Sequence, residues 1–172
     1  MRDAHGFTVV ELMITIAVMG ILLVAGVPAM RGVIENSRIR AGGEALKYGL
    51  TLARNEAVRR NAQVDFAVVA TGWEVRTVVG GEVLHQGSGQ EGAGGLQLTL
   101  APDGADTVTF DPFGRVMDPN PDGLEPFTQI DVAAANPPGV PGYRPLRIQV
   151  LDSGVARLCD PAAGDDDPQA CL

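Results

Sequence analysis

Histidine is nearly missing from this 172-residue chain, which has only His5 and His85. His85 has Ser88 nearby, but no acid–base–nucleophile set surrounds it, so the composition argues against an enzyme and no cofactor is expected. The segment GSGQEG at 87–92 fits G-x-G-x-x-G. A β-prone run follows it where a dinucleotide site needs a helix, so it reads as a loop. Cysteine is also scarce: Cys159 and Cys171 stand near the C-terminus. Such an even pair beyond a membrane anchor suggests a disulfide in an oxidising compartment, the alternative being two unpaired thiols. Asp165, Asp166 and Asp167 lack a full calcium-ligand spacing and read as a solvated acidic tail, with no metal site expected. Positive charge is short after residue 60, where five arginines face sixteen carboxylates. That half is a poor non-specific partner for nucleic acid. Residues 1–60 reverse the balance, with eight basic residues against five acidic ones.

One long stretch lacks charge almost entirely. Residues 7–30 hold a single ionisable group, Glu11. As a helix they would reach roughly 36 Å, enough to cross a ~30 Å hydrocarbon core. Residues 31–62 continue as an amphipathic helix, because Ile39, Leu46, Leu50, Ala53 and Ala57 fall on one face. Gly42, Gly43 and Gly49 disfavour that helix by about 1 kcal/mol each, so a packed sheet is expected to hold it. After Asn61 the pattern changes to short β-prone runs at 64–69, 73–79, 82–85, 96–100, 107–110, 128–132, 146–151 and 155–159. Hairpin turns are expected at 79–82 and 151–155. Gly- and Pro-rich loops at 87–95 and 118–126 are expected to be mobile. Trp73 reads as a core anchor. One helix followed by consecutive strands predicts an α+β fold with antiparallel sheet. The regions are a leader at 1–6, a transmembrane segment at 7–30, its amphipathic continuation at 31–62, and a β domain at 63–172.

Glu11 is the anomaly. A carboxylate in an apolar run burdens a plain anchor by ~2.5–3.5 kcal/mol at mid-membrane. A buried charge calls for a partner, and the nearest cation would be an α-amine made by cutting after Gly6. The stretch GFTVVEL at 6–12 resembles the cleavage and methylation signal of type IV prepilins and pseudopilins. The resemblance implies that a prepilin peptidase cuts between Gly6 and Phe7 and methylates the new amine of Phe7. It implies that Glu11 pairs with that amine on a neighbouring subunit, and that Pro28 bends the helix.

LARNEAVRR at 52–60, TFDPFGR at 109–115 and GVARLCDP at 154–161 are similar to the GspH/FimT family of minor pilins and pseudopilins. That resemblance implies a long N-terminal helix packed on antiparallel sheet. It also implies a single-pass inner-membrane protein with a periplasmic domain, assembled with other pilins into a pilus or a type II secretion pseudopilus. The excess of Lys and Arg after the span would alone favour the opposite orientation. Some FimT-like members bind DNA through Gly-Arg-x-Arg. Here that motif reads Gly154, Val155, Ala156 and Arg157, without its first arginine. Arg144, Arg147 and Arg157 are the candidate DNA contacts of this less favoured alternative, nucleic acid being an unlikely partner.

Overall fold

The computed structural model describes residues 8–70, 72–88, 95–137, 139, 142–164 and 166–171, without the side chains of 24–29, Arg31 and Ser88. Helix α1, Val9–Arg60, begins at Thr8, whose side chain caps the first turn. It ends at Asn61, held in the left-handed conformation with φ 50°. Asparagine tolerates that geometry better than most residues. The Asn61 and Ala62 N–H groups turn back onto Val58 and Ala57 carbonyls and close the last turn.

Eight strands follow: β1 (Val64–Val69), β2 (Gly72–Thr77), β3 (Val83–Ser88), β4 (Leu96–Ala101), β5 (Thr107–Phe110), β6 (Gln129–Ala134), β7 (Leu146–Val150) and β8 (Ala156–Cys159). They form two antiparallel sheets, ordered β3-β2-β1-β5 and β4-β6-β7-β8, and both pack on the second half of α1. Each expected strand is present within a few residues. β2 stops at Thr77 because Thr77 starts a tight turn: its N–H reaches the Glu82 carbonyl at 3.0 Å and its hydroxyl donates to Val79 O. β3 runs on to Ser88, into the first residues of the loop expected at 87–95, whose residues 89–94 lie outside the described residues. The 118–126 loop, expected to be mobile, is tied down instead. Buried Asn120 accepts from Thr109 N at 3.0 Å and donates to Thr107 O at 3.2 Å.

The expected helix stripe is the core. Ile39, Leu46, Leu50, Ala53 and Ala57 are all buried, against Val64, Phe66, Val75, Val108 and Phe110 of one sheet and Ile130, Val132, Ile148 and Val150 of the other. The helix glycines explain the closeness of this packing. A Cβ on Gly49 would stand 2.7 Å from Phe66 and 2.9 Å from Trp73, and one on Gly43 would stand 3.0 Å from Leu158. These glycines give up helix propensity so that Leu158 and the Phe66 and Trp73 rings can lie on the helix backbone. Trp73 stacks on Phe66 with centroids 5.7 Å apart, and Phe127 meets Phe66 edge-on at 6.1 Å. The outer face of the second sheet is polar: Asp131, Arg147, Gln149 and Arg157 share it through the β6–β7–β8 register.

Candidate assembly surfaces

Among the described residues nothing packs against the large apolar side chains of α1 from Val9 to Leu23. Val9, Val10, Leu12, Met13, Ile14, Ile16, Val18, Met19, Ile21, Leu22 and Leu23 are all at least half exposed. These residues cover every face of the helix, and a helix apolar all round needs a buried setting. Among the described residues no helix is long and apolar enough to cross a membrane. The side chains of 24–29, inside the expected 7–30 span, lie outside the described residues. Gly6 and Phe7 lie outside them as well. α1 continues as helix through Pro28, whose side chain is among those not described.

Glu11 sits in the first turn. Its carboxylate accepts from the Thr8 N–H at 3.0 Å and from the Thr8 hydroxyl at 3.0 Å, while the Thr8 hydroxyl accepts from Glu11 N at 3.2 Å. This is a capping box, with each residue satisfying the other's free donor. The carboxylate therefore faces the N-terminal side of its own first turn.

At the other end of the helix, the three segments quoted for the family resemblance meet. Arg54 donates its Nε–H to the Gly114 carbonyl at 2.9 Å. Gly154 lies against the same carbonyl, where a Cβ would stand 1.9 Å from the Gly114 oxygen, and its φ is +77°. Only glycine fits both that space and that backbone. The Val116 N–H donates to the Asp152 carbonyl at 3.0 Å and ties the two loops together. Asp111 organises the 111–115 turn, accepting from Phe113 N at 2.8 Å and Arg115 N at 2.9 Å. Burial works against the charged form of Asp111, but those N–H groups and the Arg115 guanidinium outweigh it and lower its pKa. Elsewhere in the last turns of α1, buried Glu56 receives Arg59 and Arg60, with His85 Nε2 at 3.5 Å. The Arg59 and Arg60 hydrogen bonds bring Glu56 down to about 2. The junction was not foreseen from sequence. The signal that could have found it was a glycine in each of two distant turn motifs.

The three arginines considered for DNA contact are already engaged. Arg147 forms a two-pronged pair with Asp131 at 2.6 and 3.0 Å. Arg144 reaches buried Asp160 at 3.3 Å, and its backbone N–H donates to Asn36 on α1. Arg157 donates to the Pro168 and Ala170 carbonyls. Asp131 and Asp160 offset the charge of Arg147 and Arg144, and Arg157 is tied to carbonyls of its own tail, so the three form no free basic patch for phosphate. Arg157 instead helps fasten the tail, where Cys159 and Cys171 are joined across a Cα separation of 5.1 Å. Among the described residues no group of three or more His, Cys, Asp or Glu could hold a metal ion; Asp165 lies outside them.

Residues 43–154 match the family model described as type II transport protein GspH, and residues 1–27 match that of the prokaryotic N-terminal methylation motif. The fold is similar to that of the type IV minor pilin FimU of Pseudomonas aeruginosa. Identity is 17%, 80% of this chain and 98% of that one are covered, and the TM-score is 0.56. It is also similar to the minor pseudopilin EpsH of the type 2 secretion system of Vibrio cholerae, at 15% identity, 73% and 99% coverage, and TM-score 0.53. No curated protein matches the chain.

Proposed function

The chain belongs to the family of type II transport protein GspH, and from that premise we propose how it is processed and assembled as a minor pilin or pseudopilin. A prepilin peptidase cuts between Gly6 and Phe7 and methylates the Phe7 amine. Residues 7–30 hold the product in the inner membrane with the β domain on the periplasmic side. Other pilins then draw the helix into a filament or its tip. Neighbours shield the apolar surface of residues 9–23, which nothing among the described residues covers.

The observation that carries this reading is the position of Glu11. It is the one charge in the 7–30 run, four residues past the expected new N-terminus. Before assembly its carboxylate is satisfied within its own first turn by Thr8. On assembly it exchanges that hydrogen bond for the cationic Phe7 amine of the next subunit. Two opposite charges in low dielectric favour each other only when close and fully matched. A subunit in the wrong register leaves both charges unpaired, so the exchange acts as a register check. The family points to protein secretion as the process served. Gly6→Ala should leave an uncut precursor in the membrane, seen by mass spectrometry as a chain beginning at Met1. A gene deletion scored side by side for protein secretion, pilus-dependent motility and DNA uptake separates the secretion machine from a pilus. A motility defect with intact secretion would reassign the protein to the pilus.

A further inference from the structure

Strand β7 climbs beside α1. Just before its start, Asn36 on the helix donates from Nδ2 to the Gly142 carbonyl at 2.6 Å and accepts from the Arg144 N–H at 3.0 Å. Just after its end, the turn at Gly154 lies against Arg54. The β6–β7 connection is therefore at the end of the domain nearer the apolar run, and the β7–β8 turn is at the far end. The near connection is also pinned at its base. Ala134 N–H donates to the Tyr143 hydroxyl at 2.9 Å, and Ala135 N–H donates to the Gly95 carbonyl at 2.8 Å.

Its height along the helix follows from the rise per residue. Asn36 stands roughly 9 Å beyond Met30, where the apolar run ends. The polar headgroup layer of a bilayer is roughly 5–7 Å deep on each side of the hydrocarbon. Gly32 is already buried, whereas Gly20 in the bare stretch is exposed. The domain thus covers the helix almost from the end of the run and leaves no neck between them. The surface at this height is apolar. Met30, Val33 and Ile34 are 63%, 67% and 47% exposed, and Pro137 and Gly139 of the connection are exposed as well. Val132 to Tyr143 is the longest stretch without a charge after residue 60, in a half that holds sixteen carboxylates. The other exposed apolar group, Val58, Phe113, Leu151 and Val155, surrounds the far turn. It stands roughly 40 Å from the end of the run, out of reach of any lipid.

We propose that the β6–β7 end of the domain is a second membrane contact, seated in the headgroup layer of the periplasmic leaflet. It rests on the reading that residues 7–30 lie in the bilayer. Phospholipid is the occupant because this surface continues the surface of the run at the height where acyl chains give way to headgroups. Val33 and Ile34 leave water at that boundary, and the uncharged connection enters beside them at no cost in charge desolvation. The Asn36 clamp fixes the connection to the helix, so the domain stands at one height and does not swing. The contact is released when the subunit moves into a filament, so assembly begins by lifting the domain off the lipid.

The test uses the full chain in vesicles of phosphatidylethanolamine and phosphatidylglycerol at low protein density. A nitroxide is attached at Ile16→Cys, Ile34→Cys, Gly139→Cys or Asn55→Cys; Cys159 and Cys171 are joined and do not take it. A Cβ on Gly139 meets nothing within 4 Å, so that label is accommodated. Collision with oxygen and with a water-soluble nickel chelate gives each depth. Ile16 should be deep and Asn55 in water. Ile34 and Gly139 should lie at phosphate depth, with nickel access at least fivefold below Asn55. Asn36→Ala should raise nickel access at Gly139 at least threefold and leave Ile34 unchanged. Gly139 as open to nickel as Asn55, with Ile16 immersed, overturns the proposal and leaves the span standing. Ile16 in water overturns both. Protection of Gly139 that appears only at high protein density assigns the surface to a second copy and overturns the lipid contact. An unchanged Gly139 in Asn36→Ala overturns the role of the clamp.

Discussion

Helix α1 is continuous, yet its two halves obey opposite rules. From Val9 to Leu23 its large apolar residues face outward on all sides. From Ile39 to Ala57 they form one buried stripe. The glycines mark the same division. Gly20 has nothing within 4 Å of where a Cβ would stand, whereas Gly49 touches two aromatic rings. A glycine in the first half is therefore free of the fold, and one in the second half is part of it. The lesson is that a single helix can be written for two solvents. The domain supplies the surroundings of one half, and a membrane or a filament supplies those of the other.

The strongest way to break this comparison is to swap a side chain into each half. Gly49→Val pushes a branched side chain into Phe66 and Trp73. Overpacking at the upper end of the usual range, about 3 kcal/mol or more, is expected, enough to prevent a stable domain. Gly20→Val on the same helix should leave the domain's melting unchanged. Trp73 is the sole tryptophan and lies at the Gly49 contact, so its fluorescence during thermal unfolding in detergent reports on the domain alone. Equal melting of the two variants would end the distinction.

Next in size is the tail. Cys159→Ser with Cys171→Ser opens a closed loop with a sequence separation of 12. The chain-entropy model gives about 3 kcal/mol for a loop of this order, with native strain and residual structure usually reducing it. The loss should appear in denaturant midpoint and be reproduced by reductant on the unmodified protein. Helix content should stay constant, because the disulfide lies on the polar outer face of the second sheet and not on α1.

How much of this was legible depended on whether the signal was periodic or convergent. The helix stripe from Ile39 to Ala57 and the eight strands could be read because period 3.6 and period 2 are local properties. The cost of Gly42, Gly43 and Gly49 was legible too, and it correctly implied a sheet lying on the helix. The junction of Arg54, Gly114 and Gly154 was not, because its residues are 60 and 40 positions apart and each turn taken alone looks ordinary. The 118–126 loop was misjudged for a related reason. Gly and Pro suggested mobility, but Asn120 is buried by a long-range hydrogen bond that composition does not encode. The engagement of Arg144, Arg147 and Arg157 likewise came from tertiary pairing.

A smaller effect separates the two ends of the helix by pH. Glu56 is held near 2 by Arg59 and Arg60, and Asp111 is also lowered once the N–H bonds of its turn overcome burial. A lowered carboxylate stabilises the fold above its unfolded pKa and loses that contribution as pH falls toward its folded value. Stability should therefore be level above about pH 4.5 and decline between 4.5 and 2. Glu56→Gln should flatten part of that decline and cost on the order of 1–2 kcal/mol at neutral pH, since the partner arginines are partly solvent-screened. Urea titrations at a series of pH values measure both.

The smallest effect on stability belongs to Glu11, the residue proposed to set the register of assembly. Glu11 makes its hydrogen bonds only within the first helical turn, to Thr8, and touches none of the buried core. Glu11→Val should remove no more than its half of the capping box with Thr8, a local contribution to the first turn. The Trp73 melting curve should not move. The apolar run should become a better membrane anchor, because an insertion cost is lifted. If the exchange from Thr8 to a neighbouring Phe7 amine provides the register, this more stable anchor will be processed normally yet missing from sheared filaments or tip complexes. Recovery of Glu11→Val in those fractions at the unmodified level would show that the charge has no part in assembly. A variant that folds as well, inserts better and assembles worse is hard to explain by any role of Glu11 inside its own chain.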